Sequence, residues 1–103
     1  MIRHIVLVRF RPEVTQAEKA EIHAGLAGLQ ARLPGFLRMD AGPNASPEGL
    51  GQGFADGFVI DFSDAAARDA YLADAEHQAL GARLVAAAQD GLAGLLVFDL
   101  ALG

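Results

Sequence analysis

The chain contains no cysteine, no tryptophan and only one tyrosine, Tyr71. Without cysteine there is no disulfide, no thiolate zinc site and no cysteine nucleophile. The same lack fits a reducing compartment, so a cytoplasmic location is expected. Cations are also scarce: eight Lys and Arg against thirteen Asp and Glu give a formal charge of −5. A surface of that sign repels phosphate backbones, and no nucleic-acid partner is expected. No apolar run approaches the roughly 18 residues of a membrane span. Arg9 and Arg11 interrupt the apolar amino-terminal stretch, and no small-residue cleavage site follows, so neither anchor nor signal peptide is expected.

What is present suits one folded domain. The 103 residues are 52% hydrophobic, enough for a core over residues 1–103 without covalent staples. Residues 2–11 alternate, with Ile2, His4, Val6, Val8 and Phe10 on one side and Ile5, Leu7 and the arginines on the other; this predicts a strand. Thr15 with Glu18 forms a capping-box signature, and Ile22, Leu26, Leu29 and Leu33 recur at helical spacing until Pro34-Gly35. A second strand is predicted over 36–42. The segment "GPNASPEGLGQG" then reads as a long turn, since it lacks the Gly-Lys-Ser/Thr ending of a phosphate-binding loop. A third strand is predicted over 54–62. A helix capped by Ser63 or Asp64 runs to about Ala73, a second helical segment spans about 75–89, and a last strand covers 95–102.

The order β-α-β-β-α-β predicts a ferredoxin-like α+β protomer, an antiparallel sheet with helices on one face. The first and third strands then lie side by side. Their other face carries Ile5 and Leu7 against Gly53, Ala55, Gly57 and Val59, too apolar to leave in water. A second copy packed sheet on sheet is the simplest cover, so a homodimer through the open face is expected.

The segments "IRHIVLVRFRP", "GPNASPEGLGQGF", "YLADAEHQAL" and "LLVFDL", in this order, resemble the stress-responsive dimeric α+β barrel (Dabb) family. The resemblance covers essentially the whole chain and implies a homodimer whose sheets close into a barrel, with a role in stress response. More distantly the chain is similar to plant polyketide cyclases of the olivetolic acid cyclase type. By that likeness His77 is the acid/base, Tyr71 assists it, and His4 lines the same pocket. The chain departs from relatives at Asp56, where many have histidine. It departs again at Asp74-Ala75-Glu76-His77, where many read His-Pro-Ala-His, and at Ile22, His23 and Leu26, where the cyclase has aromatic residues.

On the residues themselves, an apolar cleft walled by Val6, Val8 and Phe58, to which the cyclase likeness adds Ile22 and Leu26, would suit proton transfer next to a carbonyl. His77 is expected to take the proton and Tyr71 to donate to the enolate oxygen. Asp56 is expected to hydrogen-bond His4, the two together fixing tautomer and orientation. Each residue also has a plainer reading. A histidine near a helix start is ordinarily solvated, a lone tyrosine is ordinarily core, and Asp56 could pair a strand arginine. His23, beside the buried stripe, is expected to be exposed. No helical His-x₃-His pair supports a metal, and no cofactor is expected. The expected partner is a small apolar carbonyl or phenolic ligand, and the enzyme class, if any, a cyclase-like lyase or isomerase. The competing readings are a non-catalytic stress-related dimer and a cofactor-free monooxygenase.

Overall fold

The computed structural model describes residues 1–103. Strand β1 (Ile2–Val8) is followed by helix α1 (Gln16–Gly28), β2 (Phe36–Pro43), β3 (Asp56–Phe62), α2 (Ala65–Ala73), α3 (Ala75–Ala87) and β4 (Leu95–Ala101). The sheet order is β2-β3-β1-β4, antiparallel throughout, a ferredoxin-like α+β arrangement. No helix is long and apolar enough to cross a membrane.

Local chemistry explains the boundaries. Thr15 Oγ1 accepts from the Glu18 amide at 3.1 Å, but the Glu18 carboxylate returns no bond, so the expected capping box is half formed. Asp64 caps α2 through the Ala67 amide at 2.8 Å. β1 stops at Val8, short of the expected 2–11, because the chain beyond it changes partners. Arg9 N–H donates to Gly94 O, Gln89 N–H donates to Arg9 O, and Phe10 bridges Ala88. The same exchange ends α3 at Ala87, two residues before the expected end. β3 begins at Asp56 because Phe54 N–H closes a turn onto Gly51 O at 2.9 Å. Gly53 and Ala55 therefore belong to the loop and not to the sheet face.

Val6, Val8, Ile22, Leu26, Ile60 and Phe62 are buried between the sheet and the helices. Burial of such side chains stabilises by about 1.5–3 kcal/mol each before entropy is set against it. Gly25 lets α1 and α3 meet closely, since a Cβ there would lie 2.7 Å from Leu80 Cδ2. The opposite sheet face carries Ile5, Leu7 and Val59. To these β4 adds Leu96, Phe98 and Leu100, which are 41%, 54% and 41% exposed.

Candidate functional site

Asp74 links α2 to α3. Its extended backbone ends the first helix, and its carboxylate accepts from the His77 amide at 3.0 Å to start the second. Arg32, just beyond α1, grips the same carboxylate through two 2.9 Å hydrogen bonds. These bonds, Arg32 foremost and the His77 amide next, hold the Asp74 carboxyl at about 2. The joint sets the phase of α3, and His77, Gly81 and Val85 follow one another at helical spacing along the face turned to the sheet.

Beneath that face lies a cavity of about 230 Å³ between sheet and helices. It is bordered by His4 and Val6 from β1, Phe58 from β3, Tyr71 from α2, and His77 and Gly81 from α3, with Leu26 and Leu84 beside them. Nine of its twelve lining residues are hydrophobic, so the imidazoles are its main polar groups. His4 is 5% exposed. It meets the Tyr71 ring edge-on at 5.8 Å, and Tyr71 in turn lies 3.9 Å from the His77 ring centroid.

The partner of His4 differs from the expectation. Asp56 stands opposite Val8 in the β1–β3 register, whereas His4 stands opposite Ile60. Asp56 accepts instead from Lys19 Nζ at 3.0 Å. His4 sits across from Asp99 on β4, and its Nδ1–H donates to Asp99 Oδ1 at 2.6 Å. The other Asp99 oxygen accepts from Arg68 at 3.0 Å. Burial pushes the Asp99 carboxyl up, but the hydrogen bonds from His4 and Arg68 outweigh it and the net shift is downward. An ionised carboxylate can only accept, so the proton sits on His4 Nδ1, and Nε2 makes no bond within the protein. Asp99 and Arg68 were missed in the sequence. The available signal was that Asp99 is the one charged residue of "LLVFDL" and shares the parity of Leu95 and Val97.

The remaining expected residues divide. Val6, Leu26 and Phe58 border the cavity, while Val8 and Ile22 are core residues that do not reach it. Tyr71 is wholly covered, at 0% exposure, packed among Phe36, Phe62, His4 and His77. Burial alone raises its phenol above the ordinary value. His23 is not exposed: its half-buried ring meets Phe58 at 5.8 Å and Phe10 at 6.2 Å, and its Nε2 is buried without a partner. No group of three or more His, Asp or Glu is placed to hold a metal ion. A larger concavity, about 560 Å³, lies on the open sheet side near Leu7, Leu50, Phe54 and Leu96, but no histidine or tyrosine borders it.

Two imidazoles are held below the ordinary histidine range, His77 and His23, in both cases first by burial. The Leu72 carbonyl partly offsets this for His77, and Asp56 does so for His23. As pH falls the unfolded chain binds these protons first. Stability is therefore complete above about 6.5 and declines as pH drops below it. Urea unfolding at pH 7.5, 6.5 and 5.5 should show this decline, and a His23→Leu/His77→Leu variant should show a flatter profile.

Sheet order, helix placement and this chamber define a ferredoxin-like α+β protein. Residues 2–101 match the stress-responsive A/B barrel domain, and the chain belongs to that family, Dabb. It is 36% identical to a dimeric ferredoxin-like protein of unknown function from Jannaschia sp., covering 98% of each chain with a TM-score of 0.92. Hydroxynitrile lyase from Passiflora edulis shares the fold at 19% identity, covering 99% of this chain and 93% of that one, TM-score 0.85. SnoaB, a cofactor-independent oxygenase from Streptomyces nogalater, shares it at 16% identity, with 98% and 91% covered and a TM-score of 0.76. No curated protein matches the chain.

Proposed function

We propose that the chamber binds a small carbonyl compound and moves a proton next to the carbonyl, a cyclase- or isomerase-like reaction. The observation that carries this reading is the convergence of His4 and His77 on one apolar cavity, with Asp99 fixing the tautomer of His4. His4 Nε2 is the base, and Asp99 stabilises the imidazolium as it forms. His77, kept neutral by burial, turns its one ring N–H from the Leu72 carbonyl to the developing enolate oxygen, where the low surrounding dielectric strengthens the bond. This assigns the base to His4, where the sequence favoured His77, because the Asp99 contact leaves a lone pair on Nε2. Tyr71 supports the His77 ring from beneath. Two proteins of this fold, the lyase and the oxygenase named above, are enzymes, and the fold is compatible with either chemistry.

A second copy covers the open face in this reading. Six apolar side chains (Ile5, Leu7, Val59, Leu96, Phe98 and Leu100) form a surface of the kind that proteins bury, and the Jannaschia relative is dimeric. A cytoplasmic location and a role in stress response belong to the same proposal, on the cysteine-free sequence and the family.

Deuterium exchange at the α-carbon of butyrophenone, followed by NMR in D₂O, tests the chemistry. The protein should accelerate exchange, and His4→Ala and His77→Ala should each lower the rate by about 10²-fold or more. An unchanged rate in His4→Ala removes the base. Absence of exchange with the unaltered protein, alongside an intact dimer, favours a non-catalytic role.

A further inference from the structure

α3 carries a glycine at its middle, Gly81, where helices disfavour it. Gly28, at the last position of α1, is likewise open around its Cα but borders no cavity, whereas two other glycines of this layer have a packing reason. At Gly25 a Cβ would collide with Leu80, and at Gly35 it would lie 2.6 Å from Ala67 Cβ, with φ at +84° besides. Gly81 has neither reason: its backbone is helical, and a Cβ there would meet nothing within 4 Å. The space it leaves open adjoins the cavity, since Gly81 lies one turn beyond His77 and borders the same chamber. The helix thus carries a destabilising residue whose one structural effect is room beside an imidazole.

The lining also selects by charge. No Lys or Arg borders the cavity. The nearby cations are committed, Arg68 to Asp99 and Asp69, and Arg32 to Asp74 and Glu76. A carboxylate or phosphate entering the chamber would shed its hydration and find no counter-charge. The cavity volume, about 230 Å³, also falls below the roughly 300–1,000 Å³ of pockets that enclose drug-sized ligands.

We infer that Gly81 sets the size limit of the site, and that its ligands are uncharged carbonyl compounds with a short apolar arm lying against α3 at this glycine. The inference rests on the pocket reading above and adds the ligand class and the residue that bounds it.

The test uses acetophenone, butyrophenone, octanophenone and the anion 4-phenylbutyrate, with binding measured by ligand-observed NMR titration. The unaltered protein should bind butyrophenone, bind octanophenone at least tenfold more weakly, and not bind 4-phenylbutyrate. Gly81→Ala should weaken butyrophenone about tenfold, the scale of one misplaced methyl group, and leave acetophenone unchanged. The same variant should melt a few degrees higher, about 2–6 °C, because alanine favours the helix. Gly81→Leu should exclude butyrophenone. Butyrophenone binding unaltered in both variants would overturn the role of Gly81 while leaving the pocket reading intact. Equal binding of 4-phenylbutyrate and butyrophenone would overturn the uncharged class. If no ketone binds the unaltered protein, the pocket reading itself fails and this inference falls with it.

Discussion

Phe98→Glu should convert the protein from a dimer to a monomer. Phe98 lies opposite Ile5 on β4, near the middle of the apolar sheet face, and is 54% exposed in the protomer. Its ring contributes little to the protomer core, so the substitution should leave the fold intact. In the twofold assembly proposed here each copy buries this position, and the change is made twice. Burying an unpaired carboxylate costs several kcal/mol per ion. Two of them weaken association by roughly 6 kcal/mol, about 10⁴-fold in affinity. Light scattering after size exclusion should give twice the 10.8 kDa protomer mass for the unaltered protein and the single mass for the variant. Phe98→Leu, which keeps the surface apolar, should remain dimeric. A Phe98→Glu variant that stays dimeric would place the interface elsewhere.

Tyr71→Ala should cost about 3–5 kcal/mol, the ordinary range for removing a fully buried aromatic ring. The side chain has no exposed surface, and its ring centroid lies 5.1 Å from Phe62 and 5.9 Å from Phe36. Its removal also takes the support from beneath His77. Tyr71→Phe separates packing from chemistry. Burial is the one influence on the phenol, with no hydrogen bond to offset it, so loss of the hydroxyl should change stability by less than about 1 kcal/mol. Urea unfolding checks both values. The butyrophenone exchange rate completes the comparison: if Tyr71 acts only through His77, Tyr71→Phe keeps the rate. A rate that collapses while stability holds would give the phenol a direct part in proton transfer.

The alternation of residues 2–8 and the caps at Thr15 and Asp64 were enough to place strands and helices, because they depend on neighbours in sequence. The partner of His4 depends on register, which alternation leaves open. His4 and Asp56 do share the helix side of the sheet, yet in the β1–β3 pairing they stand four positions apart, about 13 Å along the strand. Asp99 shares that side as well and happens to fall on the right rung of β4. His23 was misjudged for a related reason. A position next to a buried stripe is exposed only if nothing overhangs it, and here Phe10 does, because the chain beyond β1 runs on to pair with the segment after α3. Gly81 drew no notice in the sequence, since a glycine declares its use only once its surroundings are known.

The double duty of Asp74 has a consequence for how this architecture can vary. Because one residue closes α2 with its backbone and opens α3 with its carboxylate, rotational errors accumulated along the first helix are cancelled before the second begins. Residues can therefore be gained or lost at the far end of either helix without turning the imidazole away from the chamber. The two helices behave as separately adjustable parts threaded on one fixed pin, and Arg32 is the fastening that holds the pin to the rest of the frame.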